Sequence, residues 1–264
     1  MPKLDTGAHR LHYEVIEQTA PWIEAPETIL FHHGVGANWR CWRGWMPALL
    51  DRYRLVAFDL PGHGLSQPGD GAITIAAMVG DVIALADEID CSNFHLVGES
   101  VGGTVALRTA IEHPERLLSL TVSNGAHMGG SIQNLDFWHE LIEGEGMGAW
   151  SDRMMGHRFF DGALAAPVWD WYRGQQASAD PATVLALLKT LVGTDLSREL
   201  ADVTLPTLLL HPDASPFIAV PIMADLHALL PNAQLRIFPH ARHGMPFSHA
   251  GECSQTLRAF LDGN

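Results

Sequence analysis

Basic residues are scarce in this chain. Sixteen lysines and arginines stand against thirty aspartates and glutamates, for a net charge of −14. Nonspecific binding to nucleic acid or to an anionic membrane needs a basic surface, so neither is an expected partner. Cysteine is scarcer. Cys41, Cys91 and Cys253 are odd in number, widely spaced and free of any C-x-x-C pattern. That argues against a disulfide framework or a cysteine zinc site, and it points to a reducing, cytoplasmic compartment. Long apolar runs are missing too. The longest candidate, residues 73–86, is broken by Gly80 and Asp81, so no membrane span is expected. The first ten residues lack the apolar stretch of a secretory signal. There is no internal repeat, low-complexity tract or long linker.

What is present suits a globular chain. The 264 residues are 47% apolar and 17% charged, enough for a sizeable core in one large domain. Short apolar runs alternate with helix-like stretches. Strands are expected over residues 11–16, 28–32, 53–60, 94–98 and 117–122, with helices over 39–52, 75–89 and 101–112. This alternation implies βαβ units and a mostly parallel sheet. From about residue 128 to 200 the pattern is helical only, over 132–145, 151–160, 163–175 and 180–191. Asp180-Pro181 has the form of an N-cap followed by proline at the first helical position. Strands return over 206–211 and 234–238, separated by a helix over 221–230, and a helix over 253–261 closes the pattern. Strands on both sides of the helical stretch belong to one sheet, which predicts one α/β domain with a helical insertion.

Three motifs carry chemistry. Gly98-Glu99-Ser100-Val101-Gly102-Gly103 follows an apolar strand and opens a helix. This G-x-S-x-G setting is that of a nucleophile elbow, where a sharp turn exposes Ser100 above a helix N-terminus that favours negative charge. His32-His33-Gly34-Val35-Gly36 follows an earlier strand. Its loop can bring a backbone N–H, that of Val35, to the same pocket. With the Val101 N–H it would make the two donors of an oxyanion hole. His243 lies in Pro239-His240-Ala241-Arg242-His243-Gly244, just past the last strand, where an imidazole can return over the serine as its base. A base of this type predicts a fall in kcat/KM as pH drops through about 6–7. His240 and His243 are three apart, but no H-E-x-x-H or carboxylate cluster supports a metal, and none is expected.

With these motifs and Phe58-Asp59-Leu60-Pro61-Gly62-His63-Gly64-Leu65-Ser66, the chain resembles α/β-hydrolase-fold proteins of the capped, esterase- and lactonase-like kind over residues 10–262. Enol-lactonases and C–C bond hydrolases are the members it resembles most. The resemblance implies an α/β-hydrolase fold, a mostly parallel sheet covered by helices on both faces, with a helical cap inserted after strand 6. Residues 1–127 and 201–264 would form the core and 128–200 the cap. It implies a cofactor-independent serine hydrolase of a carboxylic ester or lactone, with Ser100 as nucleophile, His243 as base and Val35 and Val101 as oxyanion donors. C–C cleavage, lyase or oxygenase chemistry at the same site, and a binding protein without catalysis, are the alternatives. The substrate is expected to be small and partly apolar, and a homodimer is left open.

The family's third residue is missing from its usual place. Relatives set an aspartate after the seventh strand in a Gly-x-x-Asp-Pro turn. Aligning on Pro216 puts Ser215 there, and the other location, after the sixth strand, holds Asn124. Asp213 lies two residues before Ser215, on the same side of an extended segment, and is the candidate third catalytic residue. A dyad oriented by Ser215 or Asn124, or a distant carboxylate, remains open. Arg242 also replaces the glycine that usually precedes the histidine. In the helical stretch, Trp138, Trp150, Trp169 and Arg153 are candidate pocket residues, with Arg158 and Arg173 as further cations for a substrate carboxylate.

Overall fold

Strands β1 (Lys3–Asp5), β2 (Arg10–Ile16), β3 (Thr28–His32), β4 (Arg54–Phe58), β5 (Phe94–Glu99), β6 (Leu117–Ser123), β7 (Thr207–Pro212) and β8 (Ala233–Phe238) form one eight-stranded sheet. This is seen in a computed structural model that describes residues 2–68 and 72–263. The strand order is β1-β2-β4-β3-β5-β6-β7-β8. The β1–β2 and β2–β4 pairs are antiparallel, and every pair from β4 to β8 is parallel. The β1–β2 hairpin was not expected from the sequence, because β1 has three residues and buries only Leu4.

The helices are α1 (Ile75–Glu88), α2 (Val101–Glu112), α3 (Asp136–Gly144), α4 (Gly146–Arg158), α5 (Ala166–Ala177), α6 (Pro181–Val192), α7 (Val220–Leu229), α8 (Met245–Ser248) and α9 (Ala250–Asp262). Strand alternation sorts side chains onto two cores. Leu30, Val56, Phe58 and Leu96 pack with residues of α1, α2 and α7. Ile29, Phe31, Leu55 and Val97 pack on the other face with Trp42, Trp45 and α9. Both faces are therefore covered, as parallel strands require.

The single helix expected over 39–52 is replaced by two 3-10 segments, Trp39–Gly44 and Met46–Ala48. Pro47 lacks an N–H and cannot continue an i→i−4 ladder. The fully buried Trp42 and Trp45 instead pack edge-on, 5.1 Å between ring centroids. Helices α3 to α6 all lie between β6 and β7 in the chain. Among the described residues no helix is long and apolar enough to cross a membrane.

Candidate active site

Ser100 joins β5 to α2 with φ 56° and ψ −119°, a left-handed conformation that a residue other than glycine rarely holds. The strain persists because the surroundings fix it. The Ser100 N–H donates to the Ser123 carbonyl at 2.9 Å, and the N–H groups of Gly103 and Thr104 donate to the Ser100 carbonyl. A side chain at position 98 would run into the Gly102 carbonyl, so only glycine fits there. The sequence thus builds the elbow locally, and Ser100 lines a cavity there.

His243, 3% exposed, comes from the loop between β8 and α8 and places Nε2 3.1 Å from the Ser100 hydroxyl. Its ring meets Phe217 edge-on at 5.0 Å, and its carbonyl accepts from the Asn124 amide at 3.0 Å. Burial, and then the Arg158 charge, push the imidazole well below its ordinary value of 6.5. This direction favours a neutral imidazole at His243. An acid limb of kcat/KM that follows His243 should therefore fall below the expected region of about 6–7. Burial also lifts the neighbouring Glu99 carboxyl to about 7, against the lowering effects of Arg158 and the Gly34 N–H. A step near pH 7 should therefore vanish in Glu99→Gln. A limb at 6–7 that survives this substitution would show His243 titrating there.

Asp213 does not reach the imidazole. Its carboxylate accepts the N–H groups of His240 and Ala241 at 3.0 and 3.1 Å, while its own N–H donates to the Phe238 carbonyl. It is an exposed turn former that ties the end of β7 to the end of β8. The atom beside His243 Nδ1 is the Ser215 hydroxyl, at 3.3 Å. The segment turns at Asp213, so two positions expected to share a side point to different partners. Asp213→Asn should lower kcat by less than about tenfold, roughly 1.4 kcal/mol, in steady-state ester hydrolysis. A loss of orders of magnitude would restore Asp213 to the site.

Val35 and Val101 are buried beside the serine, and Val35 lines the same cavity as Ser100 and His243. Among the described residues, neither N–H bonds a backbone carbonyl. The Val35 loop is held on all sides. His33 accepts the Leu60 N–H on Nε2, so its Nδ1 carries the proton and donates to the Gly34 carbonyl at 2.8 Å. His63 accepts the Gly36 N–H on Nε2 and donates from Nδ1 to the Pro61 carbonyl. Burial keeps both imidazoles neutral, with His63 lowered to about 4.

The cavity at Ser100 is an apolar slot. Ile132, Leu135, Trp138, Met154, Leu188 and Leu191 line it from the helical insertion, and Phe217 and Ile218 line it from the loop after β7. Its polar side chains are Ser100, His243 and Arg158. Of the expected pocket residues, Trp138 lies on the wall and three do not. Trp150 is fully buried behind it, 5.1 Å from the Trp138 ring and against Gly36. Trp169 packs beside Phe159 in a separate cluster with Met155 and Tyr172. Arg153 leaves α4 on a different side, lies over the Phe137 ring and borders an outer cleft with Arg242. Helical spacing decides this, because Met154 and Arg158 are four apart and share the inward face.

The sequence profile described as "Alpha/beta hydrolase family" matches residues 29–256. The chain belongs to the alpha/beta hydrolase family. Over 239 residues the hydrolase is 31% identical to the pimeloyl-[acyl-carrier protein] methyl ester esterase of Nitrosomonas europaea, covering 84% of this chain and 90% of that one. Over 108 residues it is 39% identical to the dihydrolipoyllysine-residue acetyltransferase component of acetoin cleaving system of Cupriavidus necator. That match covers 41% of the hydrolase and 29% of the relative, so the chain spans less than a third of that protein's length. The structure superposes on the enol-lactonase from Burkholderia xenovorans LB400 with TM-score 0.87 and 21% identity, over 99% of the hydrolase and 100% of the lactonase chain.

Several residues around the hydrolase's site escaped sequence reasoning. Glu99, Phe217, His33, His63 and Gln176 all bear on it. Glu99 had a readable signal, a carboxylate inside the motif at 98–103, whose other residues are apolar or small. The contacts of Phe217 and Gln176 cross long stretches of chain and leave no local pattern.

Proposed function

We propose that the chain is a serine hydrolase of a small, largely apolar carboxylic ester or lactone. The observation that carries this reading is the 3.1 Å contact between Ser100 Oγ and His243 Nε2 at a strained elbow. A serine hydroxyl is unreactive at its free pKa and needs such a base. Ser100 Oγ attacks the substrate carbonyl as its proton passes to Nε2. The Val35 and Val101 N–H groups hold the oxyanion, with the N-terminus of α2 adding positive potential. Collapse of the tetrahedral species expels the alkoxide, which takes the proton from His243. Water, activated by the same imidazole, then releases the acid and regenerates Ser100.

The slot sets the substrate class. Its apolar walls favour an acyl or ring group without charges, apart from one acceptor oxygen facing Arg158. Arg158 Nη1 is buried without a hydrogen-bond partner among the described residues, and a carboxylate oxygen of the substrate would satisfy it. Helices α3 to α6 then act as a cap that selects the substrate. The three free, buried cysteines accord with a cytoplasmic setting. The named activities of the Nitrosomonas esterase and the Burkholderia lactonase fit the same acyl-transfer chemistry.

A fluorophosphonate tests the reading directly. It should modify Ser100, located by peptide mass, and a panel of short apolar esters and lactones should be turned over. An unmodified Ser100 would leave a hydrolase-like binding protein.

A further inference from the structure

Arg158 ends α4, inside the helical insertion, yet its atoms meet three separate parts of the site. Its backbone carbonyl accepts the Gly244 N–H at 2.9 Å, one residue beyond His243. Its Nη2 donates to the Val35 carbonyl. Its Nη1 stands 3.9 Å from a carboxylate oxygen of Glu99, the residue before Ser100. From α5, Gln176 accepts the remaining Nε–H at 2.6 Å. The side chain is 1% exposed. A guanidinium is rarely buried so deeply unless its donors meet acceptors of fixed geometry.

The geometry of the Val35 loop shows what this achieves. The peptide between Val35 and Gly36 is pinned at both ends, its oxygen by Arg158 and its N–H by His63. The preceding peptide is pinned at its oxygen, where the Gly34 carbonyl accepts from His33 and from the Ala37 N–H. Both planes flanking the Val35 Cα are thus set, and that fixes the direction of the Val35 N–H.

We propose that Arg158 is a positioning residue: it aims the Val35 N–H and holds the His243 loop, so the helical insertion completes the oxyanion hole. This rests on the hydrolase reading above. Covering the substrate and fixing the donor for its oxyanion then fall to the same element. Because Val35 would bind the developing charge and not the neutral ester, the loss of Arg158 acts on the transition state.

The test uses an uncharged ester, so that the direct binding of a substrate oxygen by Nη1 is kept small. Arg158→Gln and Arg158→Lys should lower kcat by about 10²–10³, the usual cost of one oxyanion donor, with KM within about threefold. Inactivation by an uncharged fluorophosphonate should slow by the same factor. In amide NMR the Val35 resonance should move in both variants while that of Val101 stays, a readout that needs no turnover. The lysine variant keeps a cation beside Glu99 and decides the matter if the glutamine variant does not fold. An unchanged inactivation rate, or a loss carried by KM, overturns the proposal. A wild-type Ser100 that never reacts overturns the hydrolase reading and this proposal with it. A reactive Ser100 with indifferent variants overturns only the role of Arg158.

Discussion

Ser100→Ala should reduce kcat by at least about 10²-fold and leave the melting temperature within a few degrees of wild type. The backbone holds the strain of the elbow, so the loss of one oxygen leaves φ 56° supported by the same partners at Ser123, Gly103 and Thr104. The size of the loss carries information. Removing the serine of a full triad costs on the order of 10⁶, while removing the carboxylate alone costs roughly 3 × 10⁴. The members act as one unit, so a serine without a charged partner has only about 10² left to lose. A measured loss near the lower figure would mean that the neutral Ser215 at 3.3 Å from His243 does little for catalysis. A loss near the upper figure would mean that Asn124, Phe217 and Ser215 already orient the imidazole well. A loss below tenfold removes Ser100 from the mechanism.

The sequence was most legible where structure is local. The elbow, α2 and the parallel strands around it follow from apolar runs and glycines within a few residues of one another. Helix α2 spans Val101–Glu112, the stretch that its pattern marks. The first helical reading failed over 39–52 because Pro47 and the burial of Trp42 and Trp45 outweighed periodicity. Asp213 was misplaced for a different reason. Alternation in an extended segment holds only while the segment stays extended. Here the Asp213 and Ala214 N–H groups bond Phe238 and Ala241, which bends the chain away from His243. Arg158 shows the limit of local reading. Its bond to Val35 joins residues 123 apart, and one arginine among four in the insertion carries no mark of which will turn inward. Four-residue spacing from Met154 puts it on the same face, yet what lies opposite that face depends on the tertiary fold.

Ser215→Asp should raise kcat by about 10²–10⁴, recovering part of what a triad carboxylate contributes. The site is already shaped for the anion. Ser215 Oγ lies 3.4 and 3.3 Å from the N–H groups of Phe217 and Ile218, two donors that a carboxylate oxygen would take at shorter range. Ser215 is only half-buried, which leaves room for the larger group. The second oxygen would reach His243 Nδ1 and fix the tautomer whose Nε2 is free to accept the Ser100 proton. It would also stabilise the imidazolium once formed, which a hydroxyl cannot do by charge. The same charge should raise the His243 pKa from its depressed value. Since the neutral imidazole is the base, the acid limb of kcat/KM should move to higher pH as kcat rises. Ser215→Asn tests shape without charge and should give neither change. A limb that moves upward without any gain in kcat would show that the aspartate reaches His243 but that orientation of the base does not limit the rate.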